Sequence, residues 1–362
     1  MDIKTQNIFE KIKTGKRINA DEGLFLYEHA DLAELGLMAD FIKRQKFENK
    51  VFFNRNFHLE PTNVCIHGCK FCSYSRKQGE QGSWELSMEE LLETVKKYAD
   101  KRVTEVHVVG GVHPDRDLNY YCQLIAGIKS ILPEIHIKAF TAVELDYMFK
   151  KGKISAEEGL KKLKNCGLNS IPGGGAEIFD PQIRKKVCHE KSDSTTWLAI
   201  HQKAHLLGIP SNATMLYGHI EDYSHRIDHL QKLRELQDLT NGFNAFIPLK
   251  FKNKNNLLSG IREVNYTEEL RNYAVSRIFL DNIPHIKAYW PMSGKDLALL
   301  SLSFGADDMD GTIDDSTKIY SMAGSEEAKP TLTSSVMIRI IKDARHTPVE
   351  RDSEYNELQI FS

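Results

Sequence analysis

From about residue 50 onward, short apolar and β-branched runs alternate with longer stretches in which apolar residues recur every three or four positions. The short runs have the length of strands, and the longer stretches have the period of amphipathic helices. The pattern therefore predicts repeated βα units. The predicted strands are 56–62, 104–111, 135–144, 168–175, 209–218, 243–251, 286–292 and 308–313.

These six to eight units follow one another without a low-complexity segment or a linker rich in Pro, Gly or Ser. The succession predicts an α/β fold, a single parallel (β/α) barrel of the TIM type with six to eight strands. We expect residues 1–50 to form an N-terminal helical extension and residues 51–320 to form the barrel. Residues 321–362 are expected to be a C-terminal helical segment packed on it. In such barrels the reactive groups gather where the strands end.

Helix-end signals support the same division into units. The runs Ser87–Glu90 and Ser155–Glu158 have the spacing of capping boxes, each opening an amphipathic stretch. Asp180 precedes Pro181 as an N-cap residue precedes a proline in the first helical turn. Gly167 follows a helical run at the place where a left-handed C-cap residue is favoured.

Charge and composition narrow the functional classes. The 362 residues carry a formal net charge of −2, so no broad basic surface for nucleic acid or an anionic membrane is expected. No apolar run approaches membrane-spanning length, and residues 1–17 lack the apolar core of a secretory signal. We therefore expect a cytoplasmic protein without nucleic-acid or membrane partners. Thiols stay reduced there, and clustered cysteines are more often metal ligands or catalysts than disulfides.

Three of the six cysteines lie in one short stretch, Cys65, Cys69 and Cys72, directly after the first predicted barrel strand. Three thiolates from one loop can hold three irons of a four-iron cubane cluster, whereas electron-transfer clusters ordinarily use four. The remaining cysteines, at 122, 166 and 188, are scattered through predicted helical segments. The spacing thus predicts a cluster with one open iron, to which a small molecule can bind.

Three other interpretations of the cysteine loop compete with this one. A structural zinc site would need His67 as its fourth ligand, in a cramped spacing that lacks the usual second half. A chance grouping of buried thiols would not explain why all three fall in one loop at the end of a strand. A plain electron-transfer cluster would need a fourth cysteine nearby.

Glycines and polar residues mark the ends of other predicted strands. Gly110 and Gly111 either form a tight turn or let the backbone approach a ligand closely. In the stretch 172–179, Gly174 allows a similarly close approach of a ligand to the backbone. Glu177 either accepts hydrogen bonds from ribose hydroxyls or is an ordinary surface glutamate. Asn212 and His58 belong to alternating polar positions that either form a satisfied network or line a ligand site.

The cysteine loop, C-x₃-C-x₂-C with Phe71 before its last cysteine, resembles that of the radical S-adenosylmethionine enzymes. The resemblance implies a [4Fe-4S] cluster held by Cys65, Cys69 and Cys72, whose open iron binds S-adenosylmethionine. It also implies that Gly110 and Gly111 hold the methionine end of that molecule, although the commoner form has Glu where this chain has Val112. The remaining cofactor-binding residues that we expect are Gly174, Glu177 and Asn212.

Longer stretches resemble one subgroup of these enzymes, which contains aminofutalosine synthase, dehypoxanthine futalosine cyclase and the tyrosine-using subunit of deazaflavin-cofactor synthase. The amino-acid sequence of these stretches is most similar to that of the aminofutalosine synthases of the futalosine route to menaquinone. No physical argument from spacing separates these three kinds of enzyme. The stretches that carry the resemblance are 173–181, 211–221, 280–292, 304–313 and 347–352.

The resemblance implies a C–C bond-forming transferase. In that reaction a 5′-deoxyadenosyl radical adds to the enol-ether double bond of 3-[(1-carboxyvinyl)oxy]benzoate. Rearrangement and loss of the carboxyl group then give 6-amino-6-deoxyfutalosine. S-Adenosylmethionine is consumed as a co-substrate, and an external one-electron reductant such as flavodoxin or ferredoxin is the expected partner. A non-enzymatic iron–sulfur or zinc protein is the rival from another class.

A substrate with two carboxylates needs cationic or N–H partners where the barrel strands end. Charged or polar residues near predicted strand ends supply the candidates, although each one taken alone more often serves as an ordinary surface or capping residue. The substrate candidates are His58, His113, His219, Arg226 and Tyr289, with Lys250 as a further cation.

Overall fold

The structure is a computed structural model that describes residues 1–312, 317–325 and 331–362. Its helices are α1 (Ile3–Lys13), α2 (Ala20–His29), α3 (Leu32–Phe47), α4 (Met88–Lys96), α5 (Leu118–Ile131), α6 (Ala142–Gly152), α7 (Ala156–Cys166), α8 (Pro181–Val187), α9 (Ser194–Leu206), α10 (Tyr223–Thr240), α11 (Tyr266–Phe279), α12 (Trp290–Ser293), α13 (Lys295–Ser301), α14 (Ile319–Met322) and α15 (Ser334–Asp343). Its strands are β1 (Lys50–Asn54), β2 (Asn56–Leu59), β3 (Glu105–Val108), β4 (His136–Ala139), β5 (Ser211–Tyr217), β6 (Phe243–Lys250), β7 (His285–Ile286), β8 (Asp308–Gly311), β9 (Thr347–Arg351) and β10 (Glu357–Ile360).

Parallel pairing joins the strands into a ring. β2, β3 and β4 form one parallel sheet, and β5, β6 and β7 form another. Single bridges from Lys138 to Ser170 and from Ile171 to Ser211 connect the two sheets. Lys287 bridges to Asp308 in β8, which pairs with β1, and β1 continues into β2. The predicted α/β barrel is thereby confirmed. The described ring has eight strand positions, one of which is the bridge segment at Ser170 and Ile171.

Most predicted strands contain a strand of the structure, with three marked differences in extent. The predicted strand 286–292 overlaps β7 only at Ile286, because the chain enters α12 at Trp290. The predicted strand 168–175 is reduced to the two bridges at Ser170 and Ile171, because the glycines that follow turn the chain away. The predicted strand 135–144 ends at Ala139, because Thr141 caps α6 in a capping box with Glu144. Residue 313, the last of the predicted strand 308–313, lies outside the described residues.

The predicted helix ends follow from the residues that cap them. Ser87 and Ser155 each form the expected capping box, opening α4 and α7. Asp180 accepts a hydrogen bond from the backbone of Ile183 and precedes Pro181 in the first turn of α8. Gly167 ends α7 with a φ of 113°, a backbone conformation that side chains with a Cβ rarely adopt.

Three helices precede the barrel. α3 packs against α11, and α2 packs against both α10 and α11. The Arg271 guanidinium donates hydrogen bonds to the carbonyls of Leu26, Tyr27 and Ala30, and so satisfies the C-terminal end of α2. Among the described residues, no helix is both long and apolar enough to cross a bilayer.

The C-terminal segment 321–362 was expected to be helical, but it contains two strands after α15. β9 pairs in parallel with β1, and β10 pairs antiparallel with β9. The helical expectation was wrong here because β9 buries charged side chains on both of its faces beside Val349, so its apolar pattern does not mark it as a strand. Glu350 forms an ion pair with Arg55 at 2.9 Å, and the Arg351 Nε lies 2.7 Å from the Asp308 carboxylate.

Replacement of Arg351 by Met tests how far β9 depends on this buried pair. Both partners are about 1% exposed or less, so the variant leaves the Asp308 carboxylate buried without its cation. We expect the free energy of unfolding in urea to fall by about 3–5 kcal/mol. The exposed pair between Lys50 and Glu357 is the control, and Lys50→Met should cost less than about 1 kcal/mol. Equal effects of the two replacements would contradict this account of β9.

Candidate active site

The cysteine loop follows β2 and is fixed by backbone hydrogen bonds to several neighbouring segments. Ile66 N donates to Val112 O, in the loop after β3, at 2.9 Å. Lys70 N donates to Val187 O at the end of α8, and Lys70 O accepts from Leu257 N, both at 2.8 Å. A loop tied to separate parts of the barrel holds its side chains in place without a strand or helix of its own.

The three thiols of the loop are free and largely shielded from solvent. Cys69 is buried, and Cys65 and Cys72 are half-buried. Burial raises the pKa of Cys69 to about 12 and raises that of Cys65, so these thiols keep their protons near neutral pH until a metal displaces them. Ser75 N donates to Cys72 Sγ at 3.4 Å, a contact that also stabilises a thiolate.

The donor set fits a cubane cluster better than a mononuclear metal. In the described parts of the chain, no three His, Cys, Asp or Glu side chains are arranged to hold a single metal ion. A [4Fe-4S] cluster takes one thiolate per iron, so its ligands do not meet at one point. His67 is buried and its pKa is lowered by burial to about 4, so it stays neutral. It does not complete a zinc site with the cysteines as they stand.

The paired glycines lie against the cysteine loop. A Cβ on Gly111 would stand 2.2 Å from Val64 O, and one on Gly110 would stand 2.8 Å from Thr62 O. Gly111 N also donates to Thr62 O at 2.8 Å. The loop therefore requires glycine at both positions for packing reasons alone. A contact of their backbone with S-adenosylmethionine stays a prediction.

A separate cavity of about 190 Å³ opens inside the barrel where the strands end. Its lining combines apolar side chains with charged and polar groups. The apolar part of the lining is formed by Val109, Pro172, Ile247, Leu249 and Ile319. The polar part and the rim are formed by Asn56, Glu105, His107, Lys138, Thr141, Gly173, Gly174, Asn212, Thr214, Lys287, Tyr289 and Asp310.

Two buried ion pairs belong to the polar part of the lining. Lys138 Nζ is 2.7 Å from Glu105 Oε1, and Lys287 Nζ is 2.7 Å from Asp310 Oδ1. Burial raises the pKa of the Glu105 carboxyl, but Lys138 and Lys287 outweigh it and hold that pKa well below its ordinary value. Burial lowers the pKa of Lys138, which Glu105 partly offsets. For Lys287 burial is outweighed by Asp310, so its pKa is raised.

Several buried polar atoms in this region have no hydrogen-bond partner among the described residues. They are Glu105 Oε2, His107 Nε2, Asp310 Oδ2 and Asn56 Oδ1. Burial lowers the pKa of His107 well below its ordinary value, so its ring is neutral. Buried polar atoms without partners are rare in folded proteins unless water or a ligand satisfies them. The cavity is therefore equipped to bind a polar ligand.

Two of the substrate candidates meet at this cavity. Tyr289 lines it, and its hydroxyl lies 3.5 Å from His58 Nε2. His58 is buried, and its ring centroid lies 5.1 Å from that of His107. The alternating polar positions of β2 and β3 thus face the interior of the barrel side by side.

The other substrate candidates are held elsewhere by carboxylates. His113 Nε2 lies 2.8 Å from Glu85 Oε2, and His219 Nδ1 lies 3.2 Å from Glu221 Oε2. None of these residues lines the cavity.

The two cationic candidates are likewise engaged in buried ion pairs. Arg226 Nη2 lies 3.0 Å from Glu221 Oε1, and its Nη1 contacts Glu268. Lys250 Nζ lies 2.6 Å from Glu269 Oε1. The structure therefore does not bring His113, His219, Arg226 or Lys250 together with His58 and Tyr289.

The expected cofactor residues divide between the cavity and its surroundings. Gly174 and Asn212 line the cavity, and Gly174 O accepts a hydrogen bond from Trp197 Nε1 at 3.2 Å. Glu177 is buried outside the cavity lining, with a φ of 48° and a Lys191 ion pair at 2.6 Å. Lys191 Nζ lies over the Phe71 ring, 5.1 Å from its centroid, which places Glu177 beside the cysteine loop.

Sequence reasoning missed the charged residues of the cavity. Lys138 lies inside β4, Lys287 directly follows β7, and Glu105 begins β3. These charges are a signal, because a charged side chain at a buried strand position needs a specific partner. Glu144 was also missed. Burial raises the pKa of its carboxyl to about 7, in a site next to Thr141, where α6 begins.

Comparison with known proteins identifies the family of the chain. Residues 59–233 match the model of the radical SAM superfamily, and residues 240–362 match that of the CofH/MqnC C-terminal region. The aminodeoxyfutalosine synthase of Thermus thermophilus is 42% identical over 98% of this chain and 96% of its own length. The cyclic dehypoxanthine futalosine synthase of Streptomyces coelicolor is 34% identical over 98% of this chain and 89% of its own. The chain belongs to the radical SAM superfamily.

Within that superfamily the chain is an enzyme of the futalosine-pathway kind, as the family resemblance of its sequence predicted. A solved structure of methylornithine synthase, 20% identical, superposes with a TM-score of 0.75 over 94% of this chain and 97% of that one. That similarity concerns the fold alone and agrees with the barrel described above.

Replacement of Gly111 by Ala tests the packing of the cysteine loop. The added methyl group would overlap Val64 O, which is backbone, so the loop must shift. We expect a loss of about 1–3 kcal/mol in the free energy of unfolding, together with reduced iron content after anaerobic reconstitution. Gly260 has nothing within 4 Å of its added Cβ, so Gly260→Ala is the matched control and should keep both values. Full iron content and stability in Gly111→Ala would contradict the packing argument.

Proposed function

We propose that this enzyme joins the 5′-deoxyadenosyl group of S-adenosylmethionine to 3-[(1-carboxyvinyl)oxy]benzoate and yields 6-amino-6-deoxyfutalosine. The observation that carries the choice is the identity of 42% with an aminodeoxyfutalosine synthase over almost the whole chain, against 34% with a cyclic dehypoxanthine futalosine synthase. The alternatives within the subgroup are that cyclase and the deazaflavin-cofactor subunit.

Cys65, Cys69 and Cys72 would hold the [4Fe-4S] cluster, in the loop tied to Val112, Val187 and Leu257. When bound, the cluster supplies the electron that splits a C–S bond of S-adenosylmethionine. Gly110 and Gly111 would offer backbone groups to the methionine end of that molecule, next to the cysteine loop.

Gly174 and Asn212 would border the adenosyl group of S-adenosylmethionine at the cavity. Glu177 would accept hydrogen bonds from its ribose hydroxyls. Glu177 is already paired with Lys191, so this role leaves its second carboxylate oxygen for the ribose.

The cavity supplies two things that radical addition requires. Its apolar lining, with Ile247 and Leu249, excludes water and accommodates an aromatic ring. Its rim at Gly174 and Asn212 lies in the same enclosed space, so the two reacting carbons would be held close together. Tyr289 and His58 would contact the substrate as neutral hydrogen-bonding groups.

An external one-electron reductant would approach the cysteine loop from outside the barrel. A cleft of about 480 Å³ runs along Cys69 and Cys72, and its charged lining residues Arg76, Lys77 and Glu80 leave it with one net positive charge. The two basic side chains suit an acidic redox protein such as a flavodoxin or ferredoxin.

Incubation of the reconstituted enzyme with S-adenosylmethionine, dithionite and the carboxyvinyloxy-benzoate tests the proposal. We expect a product whose mass combines the adenosyl group with the substrate less one carboxyl group, and carbon label from the C5′ position must appear in it. Dehypoxanthine futalosine and tyrosine with its diaminouracil co-substrate serve as parallel substrates. Turnover of either one, without product from the benzoate, would replace the proposal by the corresponding sibling activity.

A further inference from the structure

The two lysines of the cavity have hydrogen-bonding capacity that the protein does not use. An ammonium group has three N–H donors. Lys138 Nζ contacts Glu105, and Lys287 Nζ contacts Asp310, and each makes no other hydrogen bond within the described residues. Both side chains are buried, at 8% and 2% exposure, so bulk water does not satisfy the remaining donors. The cavity thus holds two fixed cations with spare donors.

The lysines lie at the enclosed end of the cavity. Lys287, Glu105 and Asp310 are all less than 5% exposed, whereas Gly174, where we place the adenosyl group, is half-buried. A ligand that reaches from the lysines to Gly174 would lie along the apolar side chains of Ile247 and Leu249. This arrangement suits a molecule with an anionic end, an aromatic ring and a reactive group at the other end.

We propose that Lys138 and Lys287 bind the ring carboxylate of the aromatic substrate through the ammonium hydrogens that Glu105 and Asp310 leave unused. The identity of the acid rests on the proposed function, but the chemical class does not: the site takes an aryl carboxylate, with the ring on Ile247 and Leu249. The alkene would then point towards Gly174 and Asn212, where the adenosyl carbon arrives.

Glu105 and Asp310 have a separate role in this arrangement. Each neutralises a buried lysine before the ligand binds, which keeps the ammonium charged in a site that would otherwise favour the neutral amine. When the carboxylate enters, each ammonium bridges two acceptors, one from the protein and one from the ligand.

The test compares the substrate with its ring carboxamide, in the wild type and in two charge-neutral double variants. These are Glu105→Gln with Lys138→Met, and Asp310→Asn with Lys287→Met, so that no buried charge is left without a partner. We expect the wild type to prefer the acid by about 10- to 100-fold in kcat/KM. Each double variant should lose most of this preference, because its rate with the acid falls further than its rate with the amide. Lys50→Met removes a lysine that pairs with Glu357 of the edge strand β10, far from the cavity lining, and should keep the full preference.

Affinity for S-adenosylmethionine and iron content are measured on the same samples. Unchanged values show that the variants fold and that the loss concerns the acid alone. Double variants that retain the preference for the acid would overturn the inference. A loss of S-adenosylmethionine affinity in place of that preference would overturn it as well, because the lysines would then serve the co-substrate.

A separate binding measurement keeps this inference distinct from the proposed function. Calorimetric titration with 3-methoxybenzoate and 3-methoxybenzamide needs no turnover. If the wild type makes no adenosylated product, the proposed function fails, and the titration alone decides about the lysines. Preference for the acid that disappears in the double variants would support the aryl-carboxylate site, and equal binding of both ligands by the wild type would overturn it. If a double variant fails to fold, the single variant Lys287→Arg is measured in its place. It keeps the positive charge and should keep the preference for the acid over the amide.

Discussion

In the proposed assignment, three thiolates on one short loop supply protein ligands for only three of the four irons in a cubane cluster. The open iron makes the difference between an electron carrier and a catalyst, because only an open coordination position can bind S-adenosylmethionine. The surrounding structure holds that loop in place. Val112, Val187 and Leu257 each form a backbone hydrogen bond with it, and Gly111 lies too close to Val64 to carry a side chain.

Charge inside the barrel sets the second condition. A buried ion costs several kcal/mol unless a partner and further hydrogen bonds stabilise it. That cost is on the order of the net free energy of folding of a whole domain. The barrel meets this condition with one carboxylate for each lysine, Glu105 for Lys138 and Asp310 for Lys287. The ammonium hydrogens that these two pairs leave unused mark the place where an anionic ligand completes the network.

The alternation of apolar runs predicted the βα units, because barrel strands and their covering helices bury apolar faces with different periods. The cysteine spacing and the glycines at strand ends indicated the loop and the rim of the cavity. Periodicity did not reveal β9, because this strand buries the charged side chains of Glu350 and Arg351 in ion pairs. It also hid Lys138 and Lys287, since their acidic partners come from other strands. Conversely, Arg226 and Lys250 have the charge for substrate binding, but glutamates distant in sequence hold them.

The open iron itself can be observed directly. Electron–nuclear double resonance on the reduced, reconstituted enzyme, with ¹⁵N in the amino group and ¹⁷O in the carboxylate of S-adenosylmethionine, reports whether that molecule binds the cluster. The account predicts hyperfine coupling of both nuclei to the cluster, the same in the wild type and in a Cys188→Ser variant. Absence of coupling in the wild type, or its appearance only after Cys188 is replaced, would show that a fourth protein ligand closes the cluster, and would contradict the account.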